Sequence, residues 1–177
     1  ALYLAELWGR VGWAPVPTAG FLALGAAVAV ALTGLGLVSS FFHLGRPERA
    51  WRSAARWRTS WLSREVIVLP ALMAVVFAYG VAHFFGWKPV VVRLPSAIGI
   101  DATALLGVIG TVLAFALFLC TGMIYACLPF LREWASPLTV VNFTLLGGAS
   151  GFTLAAAFSA WRAPELSRFF AGWALVL

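Results

Sequence analysis

Four uninterrupted apolar stretches, each long enough to cross a lipid bilayer, dominate this sequence. They occupy residues 18–42, 64–85, 103–126 and 138–160. A transmembrane helix needs roughly 20 consecutive apolar residues, and these stretches are apolar on every face rather than along one stripe. Because backbone groups in lipid must be paired within their own segment, we predict an all-α fold, a polytopic transmembrane helical bundle.

Composition excludes most other classes of protein. Of the 177 residues, 63% are hydrophobic and 10% are charged, whereas soluble domains have roughly 45–50% and 25%. Cys120 and Cys127 are the only two cysteines, too few for an iron–sulfur cluster or a disulfide framework. We therefore expect no iron–sulfur cluster in this chain.

Haem is disfavoured by the placement of the two histidines. His43 and Glu65 flank one loop, and His83 follows Glu65 by 18 residues on the second span. That separation corresponds to roughly 27 Å along a helix, so the two histidines lie at opposite ends of the membrane. We expect no haem, and we expect His83 to be an ordinary residue at the membrane interface.

Shorter apolar segments occupy both ends of the sequence. Residues 1–8 read as the end of a helix, and residues 166–177 are too few to span a bilayer. We predict partial helices at both ends, so that residues 1–177 form a single transmembrane domain that is part of a longer protein.

Four consecutive spans place the connections on alternating membrane faces. We call face A the one with residues 43–64 and 127–137, and face B the one with residues 1–17, 86–102 and 161–168. Face A carries seven of the twelve basic residues. Since basic residues are enriched in cytoplasmic loops, this bias favours a cytoplasmic face A.

The chemistry-bearing residues concentrate at face A. His43 ends the first span and Glu65 begins the second, and one loop joins them. Ionisable groups in membrane helices are costly and usually functional, and a histidine beside a carboxylate is suited to accept a proton. The alternatives are a simple helix-end role for His43 and an ion pair of Glu65 with Arg46 or Arg64.

The loop between these two residues is rich in arginine. Six arginines lie between residues 46 and 64, with Glu48 as the one acid among them. They can serve as a topology signal, contact lipid phosphates, or dock a carboxylate-rich partner. We expect Arg46 to line a site beside His43, and we expect three arginines to contact a partner protein: Arg49, Arg52 and Arg56.

Three motifs resemble the DMSO reductase membrane anchor subunit family. They are His43-Leu-Gly-Arg-Pro-Glu-Arg-Ala50, Ser63-Arg-Glu65 and Trp134-Ala-Ser-Pro-Leu-Thr139. The resemblance covers about residues 18–160, and the first motif is its most specific part.

This resemblance implies a multi-pass protein of the bacterial inner (cytoplasmic) membrane, an anchor of about eight helices. Such an anchor is a non-catalytic electron-transfer subunit without a redox centre of its own. It binds menaquinol or ubiquinol and passes electrons to an iron–sulfur subunit, which feeds a molybdopterin catalytic subunit. The family's quinol-site histidine and glutamate correspond to His43 and Glu65, and we add Arg46 and Ser63 to the expected quinol site.

Two alternatives come from other classes of membrane protein. A transporter normally places an ionisable residue in the middle of a span, and the four stretches have none there. An intramembrane serine protease is suggested by Gly148-Ala-Ser-Gly151, but its serine needs a histidine base, and neither histidine follows it in the sequence.

Overall fold

The computed structural model describes residues 1–42, 44–93 and 99–177. These residues form six α-helices, one 3₁₀ helix and two short strands. In chain order the elements are α1 (Leu2–Val11), α2 (Ala19–Phe41), the 3₁₀ helix (Pro47–Arg56), α3 (Trp61–Phe84), β1 (Val90–Arg93), β2 (Gly99–Asp101), α4 (Ala102–Ala126), α5 (Pro137–Arg162) and α6 (Pro164–Val176).

The four predicted spans are confirmed as α2, α3, α4 and α5. They contain 23, 24, 25 and 26 residues, with mean hydropathies of 2.3, 2.1, 2.4 and 1.4. The predicted all-α membrane bundle is therefore confirmed. The largest difference in bounds is the start of α3, predicted at residue 64 and observed at Trp61, because Ser60 caps the helix one turn earlier.

A polar side chain at the N-terminus defines where each span begins. Each capping oxygen accepts a hydrogen bond from a backbone N–H of the first turn, which would otherwise lack a partner. The capping residues are Thr18, Ser60, Asp101 and Ser136.

Consecutive spans pack antiparallel through small residues. A Cβ added at Gly80 of α3 would lie 2.9 Å from the Cβ of Ala26, whereas Gly34 of α2 faces Met73. The N-terminal part of α2 therefore contacts the C-terminal part of α3, and a later part of α2 contacts an earlier part of α3. Small residues let the backbones of membrane helices approach closely.

The buried apolar core lies at the face B end of the bundle. Its most deeply buried large side chains include Leu22 of α2 and Leu166 and Phe170 of α6, each at most 2% exposed. The helices α1 and α6 both pack into this core, where Trp8 lies 5.7 Å from Trp173 between ring centroids. The short helices at both ends of the chain thus complete the packing at face B.

A short β-hairpin in the connection between α3 and α4 was not predicted. Strands β1 and β2 are antiparallel, with Val90 opposite Asp101 and an irregularity between Val90 and Val92. The three valines at 90–92 favour strand because their branched side chains suit an extended backbone. The hairpin delivers Asp101 directly to the start of α4.

The alternating topology predicts opposite labelling of two exposed glutamates. Glu48 lies in the 3₁₀ helix at face A, and Glu165 lies at the start of α6 at face B. After replacement of both native cysteines, Glu48→Cys and Glu165→Cys should each react with a membrane-impermeant maleimide from opposite sides of sealed vesicles. Reaction of both from the same side would contradict the four-span arrangement.

Candidate functional site

Glu65 is the one acidic residue within the four spans, all of whose residues the structure describes. It lies in the second turn of α3, half-buried, and its Oε1 accepts a hydrogen bond of 2.7 Å from the Thr121 hydroxyl of α4. A carboxylate at this depth is costly unless it is hydrogen-bonded or has a function. The contact therefore places a polar pair between two membrane helices at face A.

The hydroxyl of Thr121 has two possible acceptors. It lies 2.7 Å from Glu65 Oε1 and 3.0 Å from the Leu117 carbonyl oxygen of its own helix. A hydroxyl donates one hydrogen at a time, so Thr121 can release Glu65 and remain hydrogen-bonded. Because Thr121 has a second acceptor, Glu65 can lose this hydrogen bond when it binds a proton and regain it when it releases the proton.

Ser63 lies on a different side of α3 from Glu65. Residues two apart on a helix do not face each other, and Ser63 is 3% exposed beneath the arginine-rich loop. It lines a cavity of about 590 Å³ whose described lining is Trp51, Arg52, Ser53, Ala55, Arg56, Ser60, Leu62 and Ser63. The structure thus brings Ser63 together with Arg52 and Arg56, rather than with Glu65.

Arg46, another predicted site residue, is not brought to Glu65 in the described part of the chain. Arg46 is exposed and precedes the first residue of the 3₁₀ helix, and His43 lies outside the described residues. Arg64 donates hydrogen bonds to the carbonyl oxygens of Trp57 and Arg58. No ion pair between Arg64 and Glu65 is present in the described part of the chain, which does not support that alternative.

Tryptophans hold several arginines of the loop in place. The guanidinium of Arg64 lies 4.1 Å from the ring centroid of Trp61, and Arg52 lies 5.4 Å from that of Trp51. Stacking of a cation on an aromatic face is favourable and orients the side chain. The loop therefore presents its positive charges in an ordered arrangement at face A.

A second polar cluster, at face B, was not foreseen from the sequence. Glu6 of α1 is 5% exposed. Its carboxylate accepts hydrogen bonds of 2.6 Å from Arg10 and 2.5 Å from the Tyr79 hydroxyl of α3, and Thr103 of α4 lies 3.4 Å away. This face B cluster ties α1 to α3 and α4.

Asp101 joins the hairpin and α4 to the same cluster. Its carboxylate accepts from the backbone N–H of Ala104 at 2.8 Å, from the Thr103 hydroxyl at 2.9 Å and from Arg10. Partial burial raises the pKa of Asp101, but these hydrogen bonds and the Arg10 charge outweigh burial and hold its pKa below the usual value.

His83, which was expected at the membrane interface, lies in the last turn of α3 and also belongs to the face B cluster. It is 2% exposed, its Nε2 lies 3.4 Å from Glu6 Oε2, and its ring centroid lies 4.5 Å from that of Tyr79. Within the described residues, neither ring nitrogen has a hydrogen-bond partner. Its burial within the protein was not predicted, because it depends on the packing of α1 over the end of α3, which hydropathy does not reveal.

One feature of the sequence could have indicated the face B cluster. Glu6 and Arg10 are four residues apart on α1, and Tyr79 and His83 are four apart on α3. Residues at this spacing share a helix face. Two polar pairs in otherwise apolar helices therefore indicate that these two helix faces pack against each other.

A candidate metal site is not found among the described residues. No cluster of three or more histidine, cysteine, aspartate or glutamate side chains is arranged to hold an ion there. Cys120 is buried and Cys127 is exposed, and both are free thiols.

Two comparisons with known proteins show which proteins this chain resembles. The family model described as DMSO reductase anchor subunit matches residues 21–172. A similar protein is a sulfite dehydrogenase subunit from Allochromatium vinosum, 56% identical over 180 residues, which cover 99% of this chain and 55% of that protein. The chain thus spans about half the length of this curated relative. No solved structure matches the chain.

The matched residues include all four spans and the connections between them, and the resemblance noted from the three motifs is confirmed. The chain is a multi-pass membrane protein, and it belongs to the DMSO reductase anchor subunit family.

Proposed function

We propose that this chain forms part of a membrane anchor that exchanges electrons between a quinone and the iron–sulfur subunit of a molybdopterin oxidoreductase. The observation that carries the proposal is Glu65, the one acid in the four spans, held at face A by a replaceable hydrogen bond from Thr121. Quinone chemistry moves two protons with two electrons, so a carboxylate at the membrane edge is the required kind of group.

His43 completes the proposed proton-handling pair. In the sequence it lies two residues after the end of α2 and before the arginine-rich loop that leads to α3, so we propose that it shares a membrane face with Glu65. An imidazole with an ordinary pKa of about 6.5 exchanges protons readily near neutral pH. Ser63 lies beneath the arginine-rich loop rather than beside Glu65, so we propose that Ser63 and Arg46 contribute polar contacts to the quinone from the loop side of α3.

The name of the relative from Allochromatium vinosum favours one direction of electron flow. Oxidation of sulfite, with water supplying the added oxygen atom, gives sulfate, two protons and two electrons, and the electrons and protons reduce one quinone to quinol. In this direction Glu65 and His43 deliver protons to the reduced quinone. In the opposite direction, implied by the resemblance to DMSO reductase anchors, the same groups accept protons from menaquinol or ubiquinol.

The function is tested by separating sulfite oxidation from quinone reduction. Whole-cell extracts from cells that lack the anchor gene should oxidise sulfite with a soluble artificial acceptor, but their membranes should not reduce quinone with sulfite. Restoring the full-length anchor should restore quinone reduction. Unchanged sulfite-dependent quinone reduction without the anchor would contradict the proposal.

The same proposal requires the iron–sulfur subunit to dock at face A, close enough to the quinone for electron transfer. Arg49, Arg52 and Arg56 are exposed on the 3₁₀ helix. Guanidinium groups form strong paired hydrogen bonds with carboxylates. These three arginines are therefore proposed to contact an acidic surface of that subunit.

Conversion of Arg49, Arg52 and Arg56 to serine is expected to release the catalytic subunits from membranes at moderate salt. The reason is that exposed charge pairs weaken as salt screens them. Sedimentation of membranes followed by immunoblotting measures the released fraction. As a matched control, Arg162→Ser with Arg168→Ser removes charge from face B and should release nothing. Equal retention in both variants would leave the loop as a topology signal only.

A further inference from the structure

The face B cluster borders a cavity that the proposed function does not use. The cavity has a volume of about 260 Å³. Its apolar wall comes from Val16, Pro17, Ala19 and Leu22, and its polar wall comes from Glu6, Arg10, His83, Lys88 and Asp101. It lies where α2 begins and α3 ends, at the edge of the membrane.

His83 distinguishes this cavity from a merely structural polar contact. Its side chain is fully buried, it lines the cavity, and within the described chain neither ring nitrogen has a hydrogen-bond partner. A buried polar atom without a hydrogen-bond partner is unfavourable. The cavity therefore contains a buried group that a ligand can satisfy.

The charges around the cavity are largely neutralised within the protein. Arg10 contacts Glu6 at 2.6 Å and Asp101 at 3.0 Å, and the second oxygen of Glu6 accepts from Tyr79. The lining contains two carboxylates, Glu6 and Asp101, and two cations, Arg10 and Lys88. These charges balance, so the cavity favours a neutral ligand over an anion or a cation. The imidazole then remains as a hydrogen-bonding group beside an apolar wall.

We propose that this cavity binds the head group of a second quinone, with His83 donating a hydrogen bond to a ring oxygen. A quinone is neutral, flat and mostly apolar, with oxygens that accept hydrogen bonds, which matches one imidazole donor facing an apolar wall. Lys88, which also lines the cavity, supplies a further donor. The proposal stands on the face B contacts alone and does not depend on the quinone site proposed for face A.

The test uses the full complex in phosphatidylcholine nanodiscs, stripped of quinone and incubated with a photoreactive azidoquinone. Digestion and mass spectrometry then locate the label. We expect labelled peptides near Ala19 or Asp101, and we expect excess unmodified quinone to displace this label. Absence of the label from these face B peptides would overturn the proposal.

Two variants address the site by different routes. His83→Phe keeps an aromatic ring but removes the donor, and the loss of one hydrogen bond should weaken face B labelling about tenfold. Ala19→Trp fills the mouth of the cavity without changing the polar cluster and should abolish the label. The matched control is Ala27→Trp, since Ala27 is exposed on the same helix outside the cavity.

The outcomes separate this site from its competitors. Glu65→Gln should leave face B labelling intact, so failure of the face A proposal and failure of this one are distinguishable. Displacement of the label by phosphatidylethanolamine but not by quinone would assign the cavity to a zwitterionic lipid head group instead. Equal labelling of Ala19→Trp and the control would also overturn the proposal.

Discussion

Replacement of Glu65 by glutamine is expected to lower sulfite-dependent quinone reduction about 100-fold or more, the usual contribution of a positioned acid or base. Glutamine keeps the size of the side chain and still accepts the Thr121 hydrogen bond, whose length is 2.7 Å. It cannot bind and release a proton. Stopped-flow or steady-state reduction of a soluble quinone analogue by the purified complex measures the effect.

Glu48→Gln is the matched control for this substitution. Its carboxylate belongs to the same face A loop, but 66% of its side chain is exposed and its contact with Arg49 is 3.9 Å long. Such exposed pairs contribute little, so turnover should stay at the wild-type rate. If Glu65→Gln also turned over at that rate with a complete complex, Glu65 would have no part in the proton chemistry.

Replacement of Arg10 by leucine is expected to destabilise the fold more than any other single charge removal considered for face B. Arg10 contacts both Glu6 and Asp101, and Glu6 is buried. Removal of one partner from a buried ion pair costs about 3–5 kcal/mol. Because 34% of the Arg10 side chain is exposed, solvent screening places the expected loss at or below the lower end of that range.

Thermal unfolding of the purified complex, followed by size-exclusion chromatography, measures this loss. Arg168→Leu is a suitable control because Arg168 is an exposed arginine of α6 near the same membrane face. The effect of Arg10→Leu should shrink in a Glu6→Gln background, since one uncompensated carboxylate is then gone. Equal stability of Arg10→Leu and Arg168→Leu would show that the face B cluster contributes little.

The spans could be predicted because their signal is local. Hydropathy and length are properties of each segment alone, and the serine before Pro137 marks the start of α5 by its own capping chemistry. For the same reason the short helices at both ends and the location of Glu65 at the start of α3 were accessible from the sequence. Nothing in these predictions required knowledge of which helices touch.

The face B cluster could not be predicted because its contacts join distant parts of the chain. Tyr79 is 73 residues from Glu6, and Asp101 is 91 residues from Arg10. Their meeting depends on how helices rotate and pack. Thr121 was missed for this reason too, since its 56-residue separation from Glu65 is bridged only by the packing of α3 against α4.

Part of the arrangement at face A was accessible from helix geometry but was not used. Ser63 and Glu65 occur in one motif, and proximity in sequence suggested one shared site. Two residues on a helix are rotated by roughly 200°, and the structure places Ser63 beneath the loop and Glu65 against α4. The two residues of this motif therefore lie in two neighbouring environments rather than in one shared site.

The spacing of Glu6 and Arg10 has a consequence for biogenesis of the protein. Tyr79, Asp101 and Thr103 are synthesised long after α1, so none of them can compensate a charge on α1 when that helix first forms. The i,i+4 ion pair of 2.6 Å needs α1 alone. The nascent helix thus carries its two charges as a neutral pair. Contacts with Tyr79, Asp101 and Thr103 replace part of this pairing later.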